Sequence, residues 1–367
     1  MLFRSRAAAL LYGDWGTSKA YVTGIAFAVA AYHLGSSYAS FWLVAAVSAL
    51  TLLVGINYVW VCKYFPEGGG VYSSAKQQNR YLALVGAFLL VADYVVTASL
   101  SCYDAFLYLN FPFEDAKRWA ILTIFIIGVI NLFGPRHSGT LAVGFAIATF
   151  VVMCVLAAAA VPHIPAALAN VHRPETSPLN WWVAFTGVIL ALSGVEAIAN
   201  MTGVMQLDPE STPSRPLVTR TARKAIIVVM AEVCLLTLLF GLVTHAIPGM
   251  GPREHEGDML HFLGRMFVDE PLRAMTWFSW WPGPNVFAWV VSIVLAGLLL
   301  SAVNTAIGAL VSVFYLLCKD GEMPGIFGML NRFGVPWIVL LISMFAPILV
   351  IDVQTGENAL HGLAAMY

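Results

Sequence analysis

Apolar windows of about twenty residues dominate the chain, and short polar runs separate them. The windows predict helical spans over 5–33, 38–62, 80–109, 118–134, 138–161, 180–205, 224–247, 284–318 and 334–352. That makes about nine membrane spans. Asn358 to Tyr367 reads as the opening of a tenth, cut short. Inside the first window the pattern breaks. Tyr12-Gly13-Asp14-Trp15-Gly16-Thr17-Ser18-Lys19-Ala20-Tyr21 places two glycines and an acid where lipid is expected. Glycine is a poor helix former, and an acid in mid-bilayer costs about 3 kcal/mol on insertion scales. Such a run persists where a broken helix lines a polar cavity or is buried against protein. A weaker break is expected at Ser193-Gly194-Val195-Glu196-Ala197, in the sixth window.

Composition agrees with the pattern. The chain is 60% hydrophobic and 11% charged, with a mean hydropathy of +0.81. Soluble domains carry about a quarter charged residues, so this is a multi-pass integral membrane protein, expected in the plasma membrane. Net charge is near zero, and no nucleic-acid partner is expected. Cys62, Cys102, Cys154, Cys234 and Cys318 lie in or beside apolar segments, form no CxxC pair and read as small buried hydrophobes. The first window is too long for a signal peptide and carries Asp14, so it reads as a retained helix.

Basic residues set the orientation. With a cytoplasmic N-terminus, the inside segments hold Arg4, Arg6, Lys63, Lys76, Arg80, Arg136, Arg215, Arg220, Arg223, Lys224, Lys319 and Arg332. The outside segments hold Lys117, Arg118, Arg173, Arg253, Arg265 and Arg273. The excess inside supports that orientation. The long outer loop, Pro248 to Pro284, carries apolar Leu260, Leu263, Phe267 and Leu272, which predict short amphipathic helices. Two readings stay open: a cap over an outer vestibule, or an interfacial anchor held by Trp277, Trp280 and Trp281. The inner loop Phe65-Pro66-Glu67-Gly68-Gly69-Gly70-Val71-Tyr72 reads as a hinge or as a tightly packed turn.

Three acids stand out inside the spans: Asp14, Asp93 and Glu196. Intramembrane ionisable groups are functional candidates. Asp93, Thr97 and Ser101 fall four apart and present a ladder of oxygens on one helix face. Ser193 shares a face with Glu196. Thr17, Ser18 and Tyr21 accompany Asp14. The set offers hard oxygens without imidazole or thiolate, which suits a hard, non-transition cation. Three carboxylates around one monovalent ion leave excess negative charge, so at least one acid carries a proton at rest. Glu196 is the first candidate for coupling and Asp93 the second. Lys19 either compensates an acid such as Asp14 or snorkels to the outer water.

Several stretches resemble the amino acid–polyamine–organocation (APC) superfamily. FPEGGGVY at Phe65 to Tyr72 is similar to its turn after the second helix, and GVEAIANMTGVM from Gly194 to its sixth helix. The basic loop Leu207 to Lys224 and Asp320-Gly321-Glu322-Met323-Pro324 fit as well. GDWGTSKAY at Gly13 resembles the GDIGTSPLY signature of KUP potassium-uptake proteins, differing at Trp15, Lys19 and Ala20. LLVADYVVTASLSCYDA around Asp93 resembles KimA-type potassium–proton symporters. The resemblance implies an all-α LeuT-type fold of 5+5 inverted repeats with helices one and six broken. It makes residues 1–367 one transporter domain, with a first repeat at 5–161 and an incomplete second at 180–367. It implies potassium ligands at Asp14 and Tyr21, at Asp93, Thr97 and Ser101, and at Ser193 and Glu196, with potassium and protons transported and no cofactor. The lipid bilayer is the obligatory partner, and a homodimer fits the class.

Three functions follow in order. The first is proton-coupled uptake of a monovalent cation. The second is a proton-coupled amino-acid or amine permease, disfavoured for carboxylate substrates because Asp14 would repel them. The third is a transport-incompetent fragment or nutrient receptor. No Ser/His/Asp, HExxH or cofactor motif supports an enzyme.

Overall fold

The computed structural model describes residues 12–66, 69–134, 138–194, 196–200, 202, 207–212, 217–251, 254–274, 285–354, 362–363 and 366. Arg4, Arg6, Glu67, Arg136, Arg215, Arg253 and the three loop tryptophans lie outside these residues, as does most of the expected tenth-helix opening. Among the described residues the protein is helical, with only an isolated bridge between Leu330 and Pro336.

Each apolar window coincides with a helix or a broken pair of helices. The first gives a helical turn over 12–15 and then α1, Ser18–Leu34. Next come α2 (Ser40–Tyr64), a short α3 (Gly70–Gln78), α4 (Arg80–Tyr108), α5 (Phe113–Asn131) and α6 (Ser138–Ala160). The sixth window gives α7 (Pro178–Thr186) and α8 (Ala197–Asn200), separated by a 3-10 turn and the Gly194 break. Then follow α9 (Thr219–Val243), α10 (Met259–Gly264), α11 (Val286–Lys319) and α12 (Trp337–Val353). Among the described residues, five stretches are long and apolar enough to cross a bilayer: Ser37–Tyr64, Arg80–Tyr108, Ala142–Asn170, Thr219–Ala246 and Val286–Lys319. α12 is shorter but equally apolar.

Helix ends follow local chemistry. Asn79 caps α4 by accepting hydrogen bonds from the backbone N–H groups of Tyr81 and Leu82, and Gly35 closes α1 in the left-handed region at φ 74°. The helices sort into two packed groups. α4 packs most extensively on α11, and α5 and α12 join them. α2 packs on α9, and α1 lies against both. The outer faces carry exposed Leu53, Trp60, Phe88, Leu89 and Val228. Such exposure would be costly in water and is free in lipid.

Two loops are informative. The glycine turn is a packed junction: Gly69 adopts φ 63°, and a side chain on Gly70 would strike Val61 and Ala199. Thr202 donates to the Phe65 carbonyl at 2.9 Å, so this turn is tied to the second half of the broken sixth span. In the 248–284 loop, Met259, Leu260, Phe262, Leu263 and Phe267 are buried, and its backbone at His255 and Glu256 lies hard against Gly24 of α1. The described part of this loop is therefore seated on the protein. Among the cysteines, Cys62, Cys102 and Cys234 are buried, and Cys318 is half-buried; the expectation that all five are buried holds only in part for Cys318 and fails for the exposed Cys154. Its position on the outer face of α6 explains the difference.

Lys76 and Arg80 pair with Asp320 and Glu322 at 2.6 and 2.7 Å, clamping α3 and the start of α4 to the segment after α11. Burial pushes the Asp320 carboxyl up, but its hydrogen bonds to Lys76 and Tyr72 and the charges of Lys76 and Lys319 together outweigh this and hold it below its ordinary range. The Arg80 hydrogen bonds hold Glu322 down likewise. Carboxyls depressed in the fold stabilise it above their unfolded pKa and lose that contribution as pH falls through the folded one. We expect hydrogen exchange over 70–80, corrected for intrinsic rate, to accelerate below about pH 4 and to be unaffected between about pH 6 and 8.

Candidate functional site

The two helix breaks meet backbone to backbone. Gly194 adopts φ 87°, and a Cβ there would lie 2.6 Å from the Trp15 nitrogen and 2.9 Å from the Asp14 carbonyl carbon. Only glycine allows both this conformation and this approach. We expect Gly194→Ala to cost about 1–3 kcal/mol through overpacking and the left-handed backbone together. A lowered melting temperature of the detergent-purified protein would report it, and a wild-type melt would refute it.

Around this crossing the polar side chains gather. Asp14 is buried, and neither carboxylate oxygen has a hydrogen-bond partner. Thr17 turns back to donate to the Asp14 carbonyl, satisfying a group that the break frees. Ser18 donates to the Ser193 carbonyl at 3.4 Å, and the Thr97 and Ser193 hydroxyls are 2.8 Å apart. Asp93 stands near enough to Glu196 and Asp14 for its charge to act on both. Asn200 donates to Tyr94 at 2.6 Å. Tyr21 is buried, with its hydroxyl near Thr17 and Ser18. Ser101 is buried without a partner further along α4.

The structure thus brings together Asp14, Thr17, Ser193 and Glu196 on the two breaks, facing Asp93 and Thr97 on α4. These carboxylates are not gathered tightly: among the described residues, no three His, Cys, Asp or Glu side chains could hold one metal ion. The partners also cross between the two helix groups. Asp14 and Ser193 belong with α1 and the sixth span, whereas Asp93 and Thr97 belong to the group around α11.

Lys19 does not join this cluster, so the expectation that it compensates Asp14 is corrected, as is snorkelling. Lys19 is 0% exposed and donates to both carboxylate oxygens of Glu232 on α9, at 2.9 and 3.0 Å. Tyr12 completes the group, accepting from Lys19 at 2.9 Å and donating to Glu232 at 2.8 Å. The reason is geometric: Lys19 lies in the first turn of α1, past the break, and projects toward α9 rather than back to Asp14. Glu232 is absent from the three acids singled out above, and so is the buried Asp104 on α4. Both sit in apolar stretches without flanking glycines; their charge within a span was the available signal.

The sequence matches the amino acid permease family over residues 2–365, so the chain belongs to that family. Among individual relatives, it is 26% identical to the potassium transporter KimA of Bacillus subtilis (strain 168), over 97% of this chain and 57% of that protein. It is 30% identical to a probable potassium transport system protein, Kup 3, of Dechloromonas aromatica (strain RCB), over 52% of this chain and 35% of that one. The chain therefore spans little more than half of these relatives' length at most. A solved manganese transporter from Eremococcus coleocola aligns over 100% of this chain and 74% of its own, with a TM-score of 0.53 at 11% identity. That likeness concerns the fold alone.

Proposed function

We propose that this chain carries out proton-coupled uptake of a monovalent cation, potassium first, by alternating access in a LeuT-type inverted-repeat bundle. The observation that carries the reading is Asp14: a buried carboxylate with two unpartnered oxygens, set at the touching breaks of spans one and six. A buried anion without a partner is expensive, and a desolvated cation supplies what it lacks. Thr17, Tyr21, Thr97, Ser101 and Ser193 would complete the oxygen shell. Glu196 and Asp93, close enough for their charges to interact, share the proton that couples transport, and rocking of one helix group against the other opens and closes the site. The similarity to two potassium transporters points the same way.

Family membership itself favours a second reading, a proton-coupled amino-acid or amine permease. Asp14 at the crossing would repel a substrate carboxylate, so this reading fits an amine better than an amino acid.

Uptake of radiolabelled rubidium into proteoliposomes, against labelled amino acids and amines, separates them. Saturable rubidium uptake that collapses with the proton gradient is the expected result. Saturable amino-acid or amine uptake without rubidium flux, or no saturable flux, overturns the proposal.

A further inference from the structure

Asp104 takes no part in the cluster described above. It is 0% exposed on α4, and neither carboxylate oxygen has a hydrogen-bond partner. It shares a helix face with Ser101 and Tyr108, and Tyr108 donates to the Ala20 carbonyl of α1. The charges it faces are Glu256 and Asp258 of the seated loop. That loop roofs the position closely. A Cβ on Gly24 would collide with the backbone carbonyls of His255 and Glu256. His255 pairs with Asp258 at 2.9 Å and stacks on Phe262 with ring centroids 3.9 Å apart. Tyr21 lies between the two regions, near enough to feel both Asp14 and Asp104.

We propose that Asp104, roofed by residues 254–258, is a second and separate station for a desolvated monovalent alkali cation. The class of ion rests on the function proposed above. A proton alone also neutralises the carboxylate, leaving a buried O–H donor with no acceptor, and it is the competing outcome of the test below. A divalent ion fits no better. Such ions take six or more hard oxygens with several carboxylates, and no set of three acids or imidazoles among the described residues can hold one. A single carboxylate with Glu256 and Asp258 at longer range draws a monovalent ion without trapping it. Tyr21 then separates this station from the central acids, so an ion arriving under the loop meets Asp104 before Asp14.

The test is equilibrium binding of radiolabelled rubidium to the purified full chain, with thermal melts alongside. Wild type is expected to show two classes of site. Asp104→Asn removes one and keeps the other, and Asp14→Asn does the reverse. Should Asp104→Asn fold poorly, Glu256→Gln with Asp258→Asn on the partly exposed roof weakens the same class by about tenfold. One class of site, lost in Asp14→Asn and untouched by Asp104→Asn or the roof variants, overturns the station and leaves the central reading standing. No rubidium bound by wild type overturns both.

Discussion

Asp14→Asn reduces rubidium uptake by about a hundredfold, roughly 3 kcal/mol, while the protein folds and melts at or above the wild-type temperature. Both halves of that outcome follow from one fact. The Asp14 carboxylate is buried and has no hydrogen-bond partner, so the fold itself gains nothing from its charge. An amide of the same shape keeps the packing and removes the attraction that the Asp14 charge exerts on a desolvated cation at the crossing. A variant that transports rubidium normally would exclude Asp14 as a ligand. A variant that also unfolds would make Asp14 structural instead. Proteoliposome flux and a melt on the same preparation distinguish these results.

The opposite pattern is expected at the Lys19–Glu232 pair. Lys19→Met or Glu232→Gln should destabilise the protein by about 3–5 kcal/mol, because each leaves a buried charge without its partner. Replacing both, as Lys19→Met with Glu232→Leu, should recover most of that loss, since two desolvation costs vanish together. Labelling of buried Cys62, Cys102 and Cys234 by a thiol-reactive dye during heating gives the readout. Single variants that melt like wild type, or a double variant no better than either single, would show that the pair is not coupled. Tyr12 hydrogen-bonds both members, so Tyr12→Phe should give a smaller loss of the same sign, about 1 kcal/mol.

The contrast shows where a sequence can be read and where it cannot. Helix positions were legible because twenty apolar residues in a row have few other uses. The break at Asp14 was legible because glycines flank an acid there. The break at Gly194 was nearly hidden, as one glycine in an apolar run looks ordinary until its backbone is seen at φ 87° against Trp15. The Asp93–Thr97 spacing was visible as helical periodicity, but its meeting with Ser193 and Glu196 depends on how distant helices pack. Lys19 is the clearest case. Its partner stands 213 residues further along, and no local pattern reports a contact of that reach. Asp104 shows a different blindness: no glycine flanks it to mark a break in the span, so the sequence shows only a charge in an apolar run, and its burial sets it apart.

The separation of Lys19 from Glu232 also bears on biogenesis. During synthesis α1 reaches the bilayer long before α9, bearing an ammonium whose Glu232 counter-ion does not yet exist. Until the ribosome has delivered Glu232, that helix is poorly anchored at its lysine. The seating of α1 against α9 is therefore completed only after residue 232 has been synthesised.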